Sequence, residues 1–281
     1  MAGTVLPYVM VSLFGLAFGS FLNVCIWRLP RGESIISPRS RCPRCATPIP
    51  WYDNIPIVSY LLLRARCRNC HISISPLYPA VELLTASVFV ISYRQFDLSP
   101  EFVKHVVLGM LLIILVFTDL LVRRIPHPVT LLGMALGLFL GILIPVDPRP
   151  AEWLLVRLGV FVSPLGLSLL GSVTGSLIGG GLLYVVAEVF YRLTGKEGLG
   201  FGDVMMMLMV GTFLGVPLTL MTILLGSLLG TIVAVPFELF TSRLRHHAWP
   251  FGSFLGIAGI FSSFWGPNLL ALYLRWAGFT N

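Results

Sequence analysis

Long apolar runs divide the chain, and polar residues gather between them. Eight runs are long enough to be read as helical membrane spans: 4–27, 78–93, 101–120, 128–145, 169–192, 203–216, 217–240 and 251–274. One polar stretch of substantial length, residues 28–77, interrupts them and is rich in Arg, Pro and turn residues. The pattern predicts an all-α polytopic membrane protein with a small polar domain between its first two spans. The expected organisation is a first helix at 1–27, a cytoplasmic domain at 28–77 and a membrane-embedded domain at 78–281. Residues 146–168 mix Pro, Trp153 and Arg157 with apolar positions, and are read as an external loop with an interfacial helix.

Composition agrees with the pattern. The 281 residues are 56% hydrophobic and only 11% charged, with a mean hydropathy of +0.90, more apolar surface than a soluble core can hide. No Lys or Arg precedes the first run, and positive charge follows it, so it is not read as a cleavable signal peptide. If the N-terminus is outside, 14 of the 19 Lys and Arg fall in inner loops, including eight Arg within 28–68 as well as Arg123, Arg124, Arg192, Lys196, Arg243 and Arg245. The net charge of +7 then reflects topology and anionic lipid, and no nucleic-acid partner is needed to explain it.

Two acids sit at comparable ends of different runs. Asp119 closes the run that leads into TDLLVRRIP, and Asp203 opens the run that follows GLGFGD. Both are expected at cytoplasmic helix ends. A pair of facing carboxylates is the minimum equipment of an aspartyl protease, in which one activates water and the other, protonated, polarises the scissile carbonyl. Taken singly, Asp119 reads as an interfacial acid pairing with Arg123 one turn on. Gly200 and Gly202 are expected to let the backbone pass at positive φ and to leave room for a substrate beside Asp203. No Lys-Ser/Thr follows them, so a phosphate-binding loop is disfavoured. Met205, Met206, Met207 and Met209 read individually as core or lipid-facing, and together as an adaptable wall for an apolar helix.

The polar domain holds CPRC at 42–45 and CRNC at 67–70, separated by 21 residues. Paired knuckles of this kind supply Cys42, Cys45, Cys67 and Cys70 as four thiolates around a structural Zn²⁺, with no open position for catalysis. Iron fits the same cage, and disulfides are disfavoured in a reducing compartment. His71 reads as a solvated neighbour. Glu82, about one turn inside the second run, is read evenly as functional or snorkelling. Glu188 is expected to pair with Arg192, and Gly15, Ala17, Gly19, Ser20, Gly175, Gly179, Gly180 and Gly181 to form close-packing faces. Asn23 is a candidate for a hydrogen bond across helices, and Cys25 for a small buried residue. His127 reads as solvated, PFGSFLGIAG (250–259) as a hinge or close approach, and the adjacent His246 and His247 are discounted as a metal pair.

As a set, GSFLNVCIWRLPRGES, the two CxxC pairs flanking NIPIVSYLLLRARC, YPAVELLTA, TDLLVRRIP, GFGD before a span and PFGSFLGIAG resemble the bacterial prepilin peptidases of type IV pilus and type II secretion systems. The resemblance runs nearly the whole chain, in order. It implies an inner-membrane aspartyl protease that removes the short basic leader of prepilins or pseudopilins on the cytoplasmic side, with Asp119 and Asp203 as its catalytic pair and the four cysteines as its metal set. It also implies N-methylation of the new N-terminal residue with S-adenosylmethionine, for which Glu82 and Arg66 are candidate contacts. The chain departs from the family pattern at Ala65, where Gly is usual, and at Met205, where Lys often stands. A transporter with buried acids, or a membrane transferase holding Mg²⁺ on clustered acids, is the competing reading.

Overall fold

The computed structural model describes residues 2–196, 198–240 and 249–278, so Arg243, Arg245, His246 and His247 lie outside the described residues. The described residues form α-helices without extended strands, in line with the expected class. In chain order these are α1 (Ala2–Arg28), α2 (Val58–Leu62), α3 (Leu77–Phe96), α4 (Pro100–Val122), α5 (His127–Leu143), α6 (Ala151–Arg157), α7 (Pro164–Thr194), α8 (Phe201–Phe240) and α9 (Phe251–Trp276). The chain divides into two compact units, Met1–Ile114 and Leu115–Asn281, with the boundary inside α4.

Among the described residues, five helices are long and apolar enough to cross a membrane: Val5–Arg31, Pro100–Val122, Pro164–Thr194, Phe201–Phe237 and Phe251–Trp276. The expectation of eight separate spans is not met on that criterion. His127–Leu143 is apolar but short, α3 carries Glu82 and Arg94, and the two runs 203–216 and 217–240 fall within the single stretch of α8. That stretch is nevertheless not straight. In a regular helix Met207 and Thr219 would stand about 18 Å apart. Yet a Cβ built on Gly179 would lie 3.0 Å from the Met207 carbonyl oxygen and 2.5 Å from Thr219 Cγ2. The chain therefore folds back between them. The break is at Gly215, with φ 69° and ψ −179°, a backbone state that suits glycine, and Pro217 just beyond it cannot donate to a continuing helix.

In the first unit α1 packs on α3 through its small residues. A Cβ on Gly15 would stand 2.6 Å from Ala86 Cα, and one on Gly19 would stand 2.6 Å from Glu82 Cα. Asn23 donates from Nδ2 to the Tyr78 carbonyl at 3.0 Å, the hydrogen bond across helices that its position suggested. Cys25 is buried, as expected of a small apolar residue.

In the second unit α7 serves as the packing surface for α8. Gly175 faces the backbone of Gly211 and Gly215, and Gly180 faces Leu208 and the Val204 carbonyl. Gly181 is the exception among the expected packing glycines, because a Cβ there would meet nothing within 4 Å. Glu188 and Arg192 form the expected i,i+4 pair at 2.7 Å. The methionine reading resolves towards core: Met206, Met207 and Met209 have no exposed surface. Within α6, Arg157 lies over the Trp153 ring at 4.3 Å.

The tight α7–α8 seam makes a direct prediction. Replacing Gly175 with Val drives a side chain against the Gly211 carbonyl, 2.5 Å from where its Cβ would sit, and should cost at least about 1–3 kcal/mol, seen as a lower thermal midpoint in detergent. Gly181→Ala, facing open space inside the same helix, should not lower the midpoint.

Candidate active site and metal centre

Three helix ends meet at one point of the second unit. Asp119 lies in the last turn of α4, where its carbonyl accepts the Arg123 N–H at 2.9 Å. Arg123 takes a φ of 53°, the left-handed state that commonly terminates a helix, and Pro126 then precedes α5. Asp203 lies in the first turn of α8, its N–H donating to the Gly200 carbonyl at 3.0 Å. The first turn of α9 brings Gly252 and Ser253. Each aspartate is 7% exposed.

Gly252 records how close the acids are. A Cβ on it would lie 2.7 Å from Asp203 Oδ1, 3.1 Å from Asp119 Oδ2 and 2.8 Å from Ile125 Cδ1. The two carboxylate oxygens are therefore no farther apart than the sum of the first two distances. The structure thus brings together the two acids that the sequence singled out, 84 positions apart in the chain. Gly252 keeps the space between them free of a side chain.

Ser253 is the member of this cluster that sequence reasoning missed. Its N–H donates to Asp119 Oδ2 at 2.8 Å, and its hydroxyl reaches the same oxygen at 2.9 Å and the Val116 carbonyl at 3.1 Å. One hydroxyl has one proton. Donating it to Asp119 suits a carboxylate, while donating it to Val116 leaves a lone pair for a protonated Asp119. The signal was present in PFGSFLGIAG, but a serine beside a glycine reads as hinge material until a partner 134 positions away is known.

Gly200 and Gly202 flank Asp203 as expected, but the reason differs from the sequence argument. Neither adopts positive φ. Gly202 is needed for room, since a Cβ on it would lie 2.8 Å from Ile125 Cβ, while one on Gly200 would make ordinary contact with Asp203 Oδ2 at 3.4 Å. The first turn of α8 is ordinary right-handed helix, so Gly202 supplies space and not a turn. His127 is exposed, as expected.

The four cysteines of the first unit form the second centre. Their Sγ atoms all lie within 4.8 Å of one another, Cys42 and Cys70 at 3.7 Å, and none is in a disulfide. Zinc bonded to four sulfurs at about 2.3 Å has a tetrahedron edge of about 3.8 Å, so the donor set fits the ion. The two knuckles share one backbone design. Cys42 N–H bonds the Thr47 carbonyl and Cys67 N–H bonds the Ile72 carbonyl, Ala46 and His71 close onto Cys42 and Cys67, and single bridges pair Arg41 with Pro48 and Arg66 with Ser73. Ala46 and His71 occupy the matching left-handed positions, at φ 56° and 55°. His71 is exposed, as expected of a neighbour.

Thiol electrostatics point the same way. Hydrogen bonding to Thr47 holds the Cys45 thiol down at about 6. Against a backbone hydrogen bond from Ile72, burial and the other three sulfurs push Cys70 up to about 11. Four sulfurs this close resist carrying four charges unless a cation lies among them. Arg68 grips Asp53 with two hydrogen bonds, at 2.8 and 2.6 Å, tying the second knuckle to the segment between them.

Glu82 and Arg66, the candidate methyl-donor contacts, both lie in the first unit. Glu82 is buried and its Oε2 accepts the Ile57 N–H at 2.8 Å, whereas Arg66 is exposed. Ala65 takes a φ of 56°, a state that costs a residue with a side chain roughly 1–2 kcal/mol relative to glycine, which accounts for the family's usual Gly there.

A helical membrane protein with two buried aspartates meeting at three helix ends, joined to a four-cysteine module, is the class that the fold and sites define. The chain belongs to the type IV leader peptidase family: residues 106–235 match that family's model and residues 13–96 match the bacterial peptidase A24 N-terminal domain. It is similar to proteins named prepilin leader peptidase/N-methyltransferase. It is 40% identical to that of Myxococcus xanthus over 240 residues, 84% of this chain and 65% of that one. Identity is 33% to that of Aeromonas salmonicida (96% of this chain, 94% of the relative) and 32% to that of Pseudomonas aeruginosa (99% and 98%). No solved structure matches it.

The metal assignment is open to measurement. Purified protein should carry about one zinc per chain by elemental analysis, and Cys42→Ser should lose it together with much of the first unit's thermal stability.

Proposed function

We propose that the chain is a prepilin leader peptidase in which Asp119 and Asp203 hydrolyse the bond between a basic leader and an apolar helix. The observation that carries this reading is the meeting of both carboxylates at Gly252. In the resting pair one carboxyl holds the single shared proton, because two adjacent carboxylates do not both ionise cheaply. Ser253, with two donors on Asp119 Oδ2, favours Asp119 as the ionised partner. Asp119 then takes a proton from the attacking water, and protonated Asp203 hydrogen-bonds the carbonyl oxygen and transfers its proton as charge develops there. Asp119 returns its proton to the leaving amine as the C–N bond breaks, and the new hydroxyl returns one to Asp203. A zinc held by Cys42, Cys45, Cys67 and Cys70 would have all four positions filled by the protein and would supply structure, not this hydrolysis.

The competing readings fit less well. Both acids lie at helix ends, whereas transporter coupling residues lie near mid-membrane. A Mg²⁺-dependent transferase needs clustered acids, and among the described residues the only group of three or more potential metal ligands is the four cysteines.

The relatives' names support a second activity, methylation of the new N-terminus with S-adenosylmethionine. Of the candidate contacts, Glu82 already accepts the Ile57 N–H at one oxygen, and Arg66 is exposed on the knuckle. No step of methyl transfer is therefore assigned. The arginine distribution supports a multi-pass inner-membrane protein with its N-terminus periplasmic and its aspartates at the cytoplasmic face.

Asp119→Asn and Asp203→Asn should each lower leader release from a pilin-like peptide in detergent by at least about 10³-fold while the thermal midpoint is kept; near-normal turnover in either would overturn the assignment. Ser253→Ala should have a milder effect: kcat reduced about threefold to tenfold, KM unchanged and the pH–rate profile displaced, read from initial rates across pH.

A further inference from the structure

The segment between the two knuckles is out of character for a polar domain. Trp51, Tyr52, Val58, Leu61 and Leu62 are all exposed, Trp51 at 80% and Leu62 at 78%. A solvated surface has little reason to gather them.

Depth explains the grouping. The Ile57 N–H is fastened to Glu82 Oε2, and the Glu82 backbone lies against Gly19, whose Cβ would sit 2.6 Å from Glu82 Cα. Gly19 belongs to the membrane span Val5–Arg31 and precedes Arg28, the first charge of α1, by nine residues, about 13 Å of helix. A glutamate side chain covers only part of that distance. Ile57 and its neighbours are thus drawn below the level at which α1 meets water.

The backbone is prepared for such a place. The Asn54 N–H donates to the Trp51 carbonyl, the Ile55 N–H to the Ser59 hydroxyl and the Leu61 N–H to the Ile57 carbonyl, while Pro50 and Pro56 have no N–H to satisfy. Chain that enters lipid must meet its polar backbone needs internally. Trp51 and Tyr52 are the residue types that settle at the headgroup boundary.

We propose that residues 51–62 form an interfacial anchor that embeds in the bilayer, with Val58, Leu61 and Leu62 among acyl chains and Trp51 and Tyr52 at the headgroups, at a depth set by the Glu82–Ile57 hydrogen bond. The four-cysteine module is then not suspended on two linkers but seated on the membrane. This stands independently of the peptidase reading.

The test uses the full chain in phosphatidylcholine–phosphatidylglycerol nanodiscs, taking the emission of the wild type minus that of Trp51→Phe as the Trp51 signal. That signal should be blue-shifted, be quenched by lipids brominated at acyl carbons close to the headgroup and change little with aqueous iodide. Quenching by iodide with indifference to brominated lipid would overturn the proposal. A photoreactive diazirine lipid supplies a readout independent of Trp51. It should label the peptide 51–62; protection of that peptide, with cross-links to a second protein chain, would show a protein partner there and equally overturn it.

Discussion

Burying two carboxylates side by side is the most demanding feature of this protein, and much of the second unit is arranged to make it possible. Desolvation and mutual repulsion both oppose ionisation of such a pair, so it persists only where the scaffold fixes the groups and offers them donors. Three helix ends meet that demand. α8 directs the positive end of its dipole at Asp203, and α9 offers Asp119 the Ser253 N–H and hydroxyl, while α4 delivers Asp119 from its own last turn. Helix termini are suited to this work because their unsatisfied N–H groups are the only backbone donors that a membrane helix can spare.

Positioning those termini requires backbones to approach closely, and glycine is what permits it. Without apolar solvent exclusion to drive helices together inside lipid, close van der Waals packing takes its place. Gly175, Gly179 and Gly180 let both arms of the folded α8 lie on α7, and Gly215 lets the arms exist as two. The register of Asp203 against Gly252 depends on that seam. Gly226 facing Leu255 and Gly266 facing Leu218 hold the returning arm along α9 in the same way.

What could be read in the sequence was what has local periodicity or fixed spacing. The apolar runs announced helices, the paired CxxC motifs announced a tetrahedral sulfur cage, and Glu188–Arg192 followed from helical geometry. The pairing of Asp119 with Asp203 was legible as well, but only because each acid ended or began an apolar run. What stayed hidden depended on partners distant in the chain or on a single backbone state. Ser253 looked like part of a hinge, since its partner is on another helix. Gly202 was expected to bend the chain and instead makes room for Ile125. Ile57 carried no sign that it would occupy a strained φ of 61° and be held there by Glu82. The reversal at Gly215 falls at the end of one expected run, 203–216, just before the next; residue patterns mark where a helix weakens but not whether it kinks or turns back.

The contrast between the two sites follows from their ligands. In the cysteine module four sulfurs converge, and the two knuckles close on their own backbone, so a zinc held there would have no open position. At the aspartates the opposite holds. Each carboxylate has two oxygens: Ser253 engages Oδ2 of Asp119, which leaves Oδ1 as acceptor, and Asp203 Oδ1 faces the place where Gly252 lacks a side chain. A closed site holds structure; an open one does chemistry. The Ser253 hydroxyl adds the last requirement, because a partner able to turn from Asp119 to the Val116 carbonyl can accommodate the carboxyl in both of its protonation states without moving the helices that define the site.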